Sequence, residues 1–433
     1  MTSEDIAREI YFLYINMDGM VWYLVWYLVW YLVRTCFALL SPLSPLFCDD
    51  GFVLVCYIIV AFSPLNEIHS AVINCGYKEQ KLVKFPCGSV TGHHKMSNDT
   101  TSKKLPKQFM DCHHHFLDPS RNAFQSFLGT LAGVSYRPED YKKDVVVPLQ
   151  QAGVEFMGSV HVECMPDQGV AEAKWVKELP DTTVKAIIAS CDLSQPSVGD
   201  ELEKLVSLGD RVKGVRWILD YDVGPFNGGK NPTHVAVTRH TTLGDYLRAN
   251  GGRVLEEWEQ GFAMLQKHGL SFDLQCAPAQ LEAAAELITR YPNIPVVIDH
   301  LGKPRTVIKP DGRVDTEEID RWKAGMAAMA ALPNVYCKIS MLGYAVPGWC
   351  QGRMEVLRDL VRETVNMFEP ERCMVGLNWW KDAATSDADG LSEIGPSPLQ
   401  LLQHCANDFF VDYSDDALQK LFCETARKFY RIS

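Results

Sequence analysis

The stretch Phe109-Met110-Asp111-Cys112-His113-His114-His115-Phe116 decides how this chain is interpreted. It begins as an apolar run that suits a buried strand, and it ends in three consecutive histidines. Successive side chains of a strand point to opposite faces, so His113 and His115 share one side and His114 takes the other. Two imidazoles on one side can bind one metal ion or one polar substrate.

Seven further apolar runs follow, rich in Val, Ile and Phe and mostly continuous, as in parallel strands that are covered on both faces. Together with Phe109–Phe116 they are Glu155–Cys164, Val184–Leu193, Val212–Leu219, Leu270–Cys276, Pro295–Leu301, Val335–Ser340 and Cys373–Trp379. Eight strands that alternate with helices predict an α/β fold, a (β/α)8 TIM barrel. A doubly wound open sheet is the alternative, but it would usually show a Gly-rich phosphate turn after its first strand.

The segments between the runs have helical periodicity. In Leu255–Gly269 the apolar residues recur on one face, and Gly269 supplies a C-terminal stop. Ala279–Tyr291 shows the same pattern. Ser414 is the expected N-cap of the last helix, and the buried stripe of that helix should be Leu418, Leu421, Phe422, Thr425 and Phe429.

The first hundred residues do not resemble the rest. Val21–Leu32 is Val-Trp-Tyr-Leu three times over, and the charge-free run Val21–Val33 has 13 residues, fewer than the roughly 20 that cross a bilayer as a helix. Three interpretations compete: a signal or anchor segment, a membrane hairpin, or non-coding repeat sequence translated by a faulty gene model, with Met96 as the ordinary start. The predicted organisation is an irregular, low-complexity N-terminal extension at 1–102 and a barrel domain at 103–433.

Composition narrows the partners. The net charge of −12, without any cluster of Lys and Arg, argues against nucleic acid. The 14 cysteines form no C-x-x-C pair, which indicates a reducing compartment and a cytoplasmic protein. We expect a small-molecule substrate. A membrane partner requires the N-terminal extension to be real, and the sequence is compatible with a homo-oligomer.

Functional groups of a parallel barrel gather at the C-terminal ends of its strands. The sixth run leads into Asp299-His300-Leu301-Gly302-Lys303-Pro304, where His300 provides a third imidazole. The second run ends in His161-Val162-Glu163, so either His161 or Glu163 points into the barrel mouth. Arg216 on the fourth run could hold a substrate carboxylate or form an ion pair within the barrel.

Three more runs carry polar candidates. Gln275 is a neutral hydrogen-bonding partner, and Lys338 is either a substrate contact or a barrel-layer residue neutralised by Glu163 or Asp299. The eighth run ends in Asn378, which cannot accept a proton. Asp382, four residues later, is the expected general base if the turn folds it back over the mouth.

At these residues the sequence resembles the amidohydrolase superfamily, in its amidohydrolase-related branch of TIM-barrel hydrolases. The resemblance runs from about Phe109 to Ile432 and rests on the D-x-H-x-H opening and the His-Leu-Gly-Lys-Pro motif. The branch includes sugar-acid lactonases, pyrone-dicarboxylate lactonases and zinc-dependent decarboxylases. Many members place an Asp at the end of strand 8 as metal ligand and base. This chain has Asn378 there, and Gln275 where a strand-5 histidine is usual.

The resemblance implies a hydrolase that opens a lactone or similar cyclic ester of a small carboxylated or sugar-acid substrate. His113, His115 and His300 would polarise the carbonyl, either directly or through a divalent metal that they bind, with zinc the best fit. Arg216 would hold the substrate and Asp382 would accept the proton, while His161, Gln275, Lys338 and Asn378 would contact the substrate. The alternatives are a metal-dependent decarboxylase on the same barrel and a non-catalytic metabolite-binding barrel.

Overall fold

The computed structural model describes two short strands near the N-terminus and most of the chain from residue 104 onward. The described residues are 56–62, 68–75, 104–126, 135–180, 183–221, 245–304, 307–309, 312–346, 348–379 and 396–433. By its internal contacts the chain divides into two units, Met1–Asp99 and Thr100–Ser433. In the first unit, β1 (Cys56–Phe62) and β2 (Ile68–Cys75) form an antiparallel pair. The Val-Trp-Tyr-Leu repeat lies outside the described residues, as does the predicted boundary at 103.

Eight parallel strands of the second unit form one sheet, in which neighbours along the chain are neighbours in space. They are β3 (Gln108–His114), β4 (Glu155–Val162), β5 (Val184–Ser190), β6 (Val212–Ile218), β7 (Ser271–Gln275), β8 (Val296–Ile298), β9 (Val335–Ile339) and β10 (Cys373–Val375). Just beyond β10, Trp379 bridges to His114, and the N–H of Asn378 donates to the carbonyl of His113 at 2.7 Å. Each predicted run overlaps one strand, so the predicted TIM barrel is confirmed.

Helices connect the strands on the outside of the barrel. They are Pro138–Tyr141, Lys142–Val146, Val147–Gln151, Gly169–Glu178, Val198–Ser207, Ala249–Gly252, Glu256–His268, Leu281–Thr289, Thr316–Ala330, Leu342–Ala345, Met354–Phe368, Pro398–His404, Cys405–Phe409, Asp415–Gln419, Lys420–Glu424 and Thr425–Phe429. Short 3-10 turns occur at Ala123–Gln125, Pro278–Gln280, His300–Gly302, Trp349–Gln351 and Pro370–Arg372. Among the described helices, none combines the length and apolarity that a membrane crossing requires.

The predicted helix ends agree with the structure. Gly269 follows the helix Glu256–His268 in the left-handed conformation, with φ 63°, as a C-terminal stop should. The Ser414 side chain accepts a hydrogen bond from the N–H of Ala417 and so caps the segment that begins at Asp415. All five residues of the predicted stripe on the last helical segments are buried.

The core has two layers. An inner cluster fills the barrel with small and medium side chains such as Cys112, Val160 and Ile188, and the end of the last helix adds Phe429 and Tyr430 to it. A larger outer cluster lies between the strands and the helices. Burying one such side chain contributes roughly 1.5–3 kcal/mol. The barrel is therefore a packed scaffold.

Candidate functional site

The backbone is strained where several barrel strands end. Non-glycine residues with positive φ follow four strands: Met165 after β4 (48°), His300 after β8 (57°), Met341 after β9 (53°) and Asn378 after β10 (49°). The left-handed conformation costs such a residue about 1–2 kcal/mol. Strain of this kind concentrates at functional sites. The carboxyl-terminal end of the barrel is thus both the strained end and the end that carries the predicted site residues.

The end of β3 turns two of its histidines into the barrel. The register of β3 against β4 shifts between Asp111 and His114. Because of this irregularity, Cys112 belongs to the inner apolar cluster and His113 also faces inward. The rings of His113 and His115 lie edge to face, with centroids 5.0 Å apart. The two histidines therefore share one side, as the alternation of the sequence suggests.

His114 faces the opposite way, into an aromatic box outside the barrel. Its ring lies 4.5 Å from that of Phe116 and 4.6 Å from that of Tyr141, measured between centroids. Burial lowers its pKa well below the usual value, and the neighbouring His161 adds to the effect. Neither ring nitrogen has a hydrogen-bond partner among the described residues. His114 is thus a packing residue of the outer layer.

His300 reaches the same place through a left-handed turn. Four consecutive residues from His300 to Lys303 have positive φ, at 57°, 58°, 67° and 56°. The N–H of Gly302 donates to the carbonyl of Asp299 at 3.1 Å, and the N–H of Lys303 donates to that of His300 at 2.8 Å. The indole N–H of Trp322 donates to the carbonyl of Leu301 at 2.6 Å. These bonds hold a turn whose handedness most residues avoid.

The turn sets the His300 ring against His113. The two ring centroids are 4.7 Å apart. The Nδ1 atom of His300 lies 2.9 Å from the hydroxyl of Ser340, the residue that follows β9. The structure therefore brings His113, His115 and His300 together at one end of the barrel.

Lys338 on β9 lies buried beneath His113. Its ammonium nitrogen is 2.6 Å from Asp273 Oδ2, 3.0 Å from Asp299 Oδ1 and 3.2 Å from His113 Nδ1. The hydroxyl of Tyr430 also donates to Asp273, at 2.9 Å. Of the two acids that the sequence offered as neutralisers of Lys338, Asp299 takes that role and Glu163 does not. Lys338 is therefore part of an interior charge network.

Arg216 on β6 belongs to an ion pair within the barrel. Its Nε donates to Glu163 Oε1 at 2.8 Å and its Nη1 to Asp299 Oδ2 at 3.2 Å. Its Nη2 donates to the carbonyl of Glu163 at 2.7 Å. The residue is 3% exposed. Arg216 thus forms the ion pair within the barrel that the sequence allowed, and its contact with a substrate carboxylate stays a prediction.

His161 does not join the three histidines. Its Nδ1 accepts a hydrogen bond from the N–H of Phe116, and its ring stacks on the Phe116 ring. Its Nε2 faces Glu172 on the helix Gly169–Glu178 at 3.9 Å. His161 therefore lies on the outer side of β4, and Glu163, two residues further along, occupies the inner position because the strand has ended between them.

Gln275 and Asn378 do lie at the barrel mouth. Gln275 donates to Asp220 Oδ2 at 3.3 Å and accepts from Arg216 at 3.4 Å. Asn378 contacts Nε2 of His115 at 3.1 Å. Asp382, the expected general base, lies outside the described residues.

Two features of the site were not predicted from the sequence: the buried ion pair of Lys303 with Asp220, and the buried acid Asp273. Lys303 pairs with Asp220, and both side chains are buried. Asp273 lies in the middle of an apolar strand, and burial raises its pKa to about 6 despite the opposing effect of Lys338. An acid inside an apolar run is the signal that could have revealed Asp273. Lys303 was visible in the motif, but its partner lies far away in sequence.

The charges around the histidines keep them neutral. Burial lowers the pKa of His113 well below its usual value, and the Lys338 ammonium lowers it further. Burial and then the Arg216 guanidinium do the same for His115. Burial alone would raise the pKa of Asp299, but the Lys338 ammonium holds it well below its usual value. Near neutral pH the mouth thus contains two uncharged imidazoles above a carboxylate.

Three potential metal ligands lie close together. His113, Asp299 and His300 each offer one ligand atom within 4.8 Å of the others. However, Oδ1 of Asp299 and Nδ1 of His113 both face the ammonium of Lys338, at 3.0 and 3.2 Å. A divalent ion there would lie beside this ammonium and the Arg216 guanidinium, and like charges at such distances repel strongly.

His115 adds no ligand, because one ring nitrogen contacts the carbonyl of Val162 at 2.9 Å and the other contacts Asn378. Of the predicted metal ligands, His113 and His300 therefore lie in the group, and His115 is replaced by Asp299. As they are arranged, these side chains do not fit a divalent ion.

Known proteins share this barrel. The sequence model of the family described as Amidohydrolase matches residues 110–432. An L-fucono-1,5-lactonase of Burkholderia multivorans is 26% identical over 276 residues, which cover 62% of this chain and 81% of that protein. An L-fucono-1,5-lactonase of Burkholderia ambifaria is 30% identical over 169 residues, which cover 38% of this chain and 51% of the relative.

Solved structures agree on the architecture. A crystal structure of an amidohydrolase from Burkholderia multivorans with bound HEPES superposes with a TM-score of 0.54 at 20% identity, and the match covers 75% of this chain and 100% of that one. A structure of the same description with bound zinc gives a TM-score of 0.53. These likenesses show the fold. Because the family model spans well over half of the sequence, the predicted resemblance is confirmed, and the chain belongs to the amidohydrolase family.

Proposed function

We propose that this protein hydrolyses a lactone or similar cyclic ester of a small carboxylated or sugar-acid substrate. The observation that carries the proposal is the Nε2 atom of His113. It is buried at the barrel mouth and has no hydrogen-bond partner among the described residues. A buried polar atom without a partner costs roughly 1–3 kcal/mol, and a substrate oxygen would remove that cost. The L-fucono-1,5-lactonases among the relatives support the ester bond of a lactone ring as the bond that is broken.

In the proposed reaction the neutral imidazoles polarise the substrate carbonyl. His113 contacts the carbonyl oxygen. The rings of His115 and His300 both pack against the ring of His113. A fixed donor in a water-poor site stabilises the negative charge that develops on this oxygen, typically by about 3–4 kcal/mol. A neutral imidazole suits this task because it keeps its proton while it donates a hydrogen bond.

Water supplies the nucleophile. Its oxygen adds to the carbonyl carbon while its proton passes to Asp382, which we keep as the proposed general base. The bond between the carbonyl carbon and the ring oxygen then breaks, and Asp382 returns the proton to the leaving oxygen. The product is the open hydroxy acid. No step of this sequence requires a metal ion.

The remaining predicted residues have supporting roles in this proposal. Gln275 and Asn378 lie at the mouth and contact the polar groups of the substrate. Arg216 and Lys338 are positioning residues, because their cations are neutralised by protein carboxylates. His161 has no direct role, since it lies on the outer side of β4.

The proposal is tested with the full-length protein in a chelating buffer and a panel of five- and six-membered sugar-acid lactones. Acid release, followed with a pH indicator, measures hydrolysis. We expect His113→Ala to lower kcat/KM by about 100- to 1000-fold. His114→Phe, which changes the neighbouring histidine on the outer side, should keep the activity. Hydrolysis of no lactone, or equal activity of the His113→Ala variant, would refute the proposal.

Two alternatives make different predictions in the same experiment. A metal-dependent decarboxylase would release carbon dioxide from carboxylic acids and would lose its activity in the chelating buffer. The arrangement of charges around Asp299 does not favour it. A metabolite-binding barrel would bind a lactone or hydroxy acid in calorimetry without turnover, and Asn378 in place of a carboxylate is the feature that motivates it.

A further inference from the structure

The ammonium of Lys338 has three partners. Hydrogen bonds join it to Asp273 Oδ2 at 2.6 Å and to His113 Nδ1 at 3.2 Å, and an ion pair joins it to Asp299 Oδ1 at 3.0 Å. The side chain is completely buried. Burial alone would lower the pKa of Lys338, but Asp273 and Asp299 raise it above its usual value. The group is therefore charged, and it carries hydrogens without a lone pair.

The contact between Lys338 and His113 determines where the imidazole proton lies. A neutral imidazole has one N–H group and one lone pair. A hydrogen on Nδ1 would point at the hydrogens of the ammonium, whereas a lone pair on Nδ1 accepts one of them. The competing acceptor for an Nδ1 hydrogen is Asp299 Oδ1, but it is 3.5 Å away, longer than an ordinary hydrogen bond.

We infer that Lys338 fixes His113 as the tautomer with its proton on Nε2, so that this histidine offers substrates a hydrogen-bond donor and offers metal ions no lone pair. The inference concerns the proton of His113 and stands whether or not the substrate is a lactone. It also explains the poor fit of the site to a divalent ion. The nitrogen that points away from Lys338 carries a hydrogen, and the nitrogen that has the lone pair faces a cation.

Lys338 is thus a positioning residue that acts through His113. The group that contacts one ring nitrogen of a histidine commonly determines which of the two nitrogens is protonated. In metal enzymes this group is usually a carboxylate or a carbonyl, which accepts the N–H and leaves the lone pair of the other nitrogen facing the metal. Here the group at Nδ1 is the Lys338 ammonium, which donates to the lone pair and leaves the proton on Nε2.

The direct test is the ¹⁵N NMR spectrum of the imidazoles in the full-length, ¹⁵N-labelled protein at a mildly alkaline pH. The His113 signals are identified by their loss in the His113→Gln variant. We expect a protonated Nε2 and an unprotonated, hydrogen-bonded Nδ1. A proton on Nδ1 would overturn the inference, and this measurement needs no change to Lys338.

A second test removes the lysine together with one acid, as Lys338→Met with Asp273→Asn, so that no net charge is added to the interior. We expect the two His113 tautomers to mix and the affinity for zinc, measured by calorimetry, to rise roughly tenfold or more. The matched control is Lys303→Met with Asp220→Asn, another buried pair of a lysine and an acid, which should leave the His113 tautomer unchanged. An unchanged tautomer and zinc affinity in the first variant would contradict the inference. If that variant does not fold, the spectrum of the native chain decides alone.

Discussion

Nε2 of His115 lies 3.1 Å from Oδ1 of the Asn378 side chain. The other ring nitrogen lies 2.9 Å from the carbonyl oxygen of Val162. A carbonyl only accepts, so Nδ1 carries the proton. Burial lowers the pKa of His115, so Nε2 keeps a lone pair. Two acceptors cannot share a hydrogen bond, so Asn378 must donate with its amide turned by 180°, which exchanges Oδ1 for the NH2 group without changing the shape of the side chain.

Asn378→Asp should raise the pKa of His115 and favour a proton on its Nε2 atom. The carboxylate would face the lone pair of Nε2, and the two groups are compatible only if a proton lies between them. We expect the pKa of His115 to rise by at least about one unit. NMR titration of the His115 ring hydrogens measures this. Asn378→Ala, which removes the amide without adding charge, should leave the pKa low, and equal pKa values in the two variants would contradict the prediction.

Arg216→Met should destabilise the fold. It leaves the buried carboxylates of Glu163 and Asp299 without their shared partner, and breaking a buried ion pair in this way costs roughly 3–5 kcal/mol. Urea unfolding followed by circular dichroism gives the free energy of unfolding. Adding Glu163→Gln should recover part of the loss because one unpaired charge disappears. A raised KM with unchanged stability would instead identify Arg216 as the substrate anchor that the sequence also allowed.

Gly302→Ala should destabilise the left-handed turn. Gly302 has φ 67°, and an added Cβ would lie 2.5 Å from the sulfur of Met326 and 3.3 Å from Leu281 Cδ1. The conformation costs about 1–2 kcal/mol, and the crowding adds roughly 1–3 kcal/mol. Thermal unfolding measures the sum. Gly343→Ala is the control, since nothing lies within 4 Å of its Cβ; equal melting temperatures for both variants would show that the turn is not under strain.

His114→Phe should reduce the loss of stability in acid. Burial lowers the pKa of His114 in the folded protein, whereas the unfolded chain keeps an ordinary value of about 6.5. Below that pH the unfolded chain binds a proton that the folded protein does not, so stability falls as the pH falls. Between about pH 7.5 and pH 5.5 one such histidine accounts for about 1.4 kcal/mol.

Urea unfolding at the two pH values should show this difference between the wild type and His114→Phe. His114→Asn removes the same proton site but also the ring packing against Phe116 and Tyr141. It should be less stable at both pH values and yet share the weaker pH dependence. A pH dependence equal to that of the wild type in both variants would mean that the pKa of His114 is the same in the folded protein and in the unfolded chain.

The strands were predictable because strands that are buried on both faces consist mainly of apolar residues. Val296–Ile298 and Val335–Ile339 are examples. The pairing of His113 with His115 followed from alternation. What the sequence could not provide was the irregularity in β3, which turns both Cys112 and His113 inward. Such an irregularity depends on the neighbouring strand and leaves no composition signal.

The partners of the charged residues were the least predictable part of the site. Arg216 and Lys338 each stood in an apolar run, and either could have faced a substrate. Their distances to Asp299 depend on the closure of the barrel, which brings β6 and β9 to the same carboxylate. The left-handed turn at His300 was hidden for another reason, because three of its four residues are not glycine. Asp382 and the N-terminal repeat stay predictions, since both lie outside the described residues.

The first and the last strand of the barrel meet at the site. The first barrel strand carries the histidines, and the amide that contacts His115 arrives 263 residues later, just beyond the last strand. A ribosome therefore releases His113 and His115 early and Asn378 late. Until the final strand emerges, the nascent chain holds its histidines without the partner that orients them. The site is thus complete only when the ring of strands is complete, and a chain that stops short of β10 would contain all three histidines but lack the amide that contacts His115.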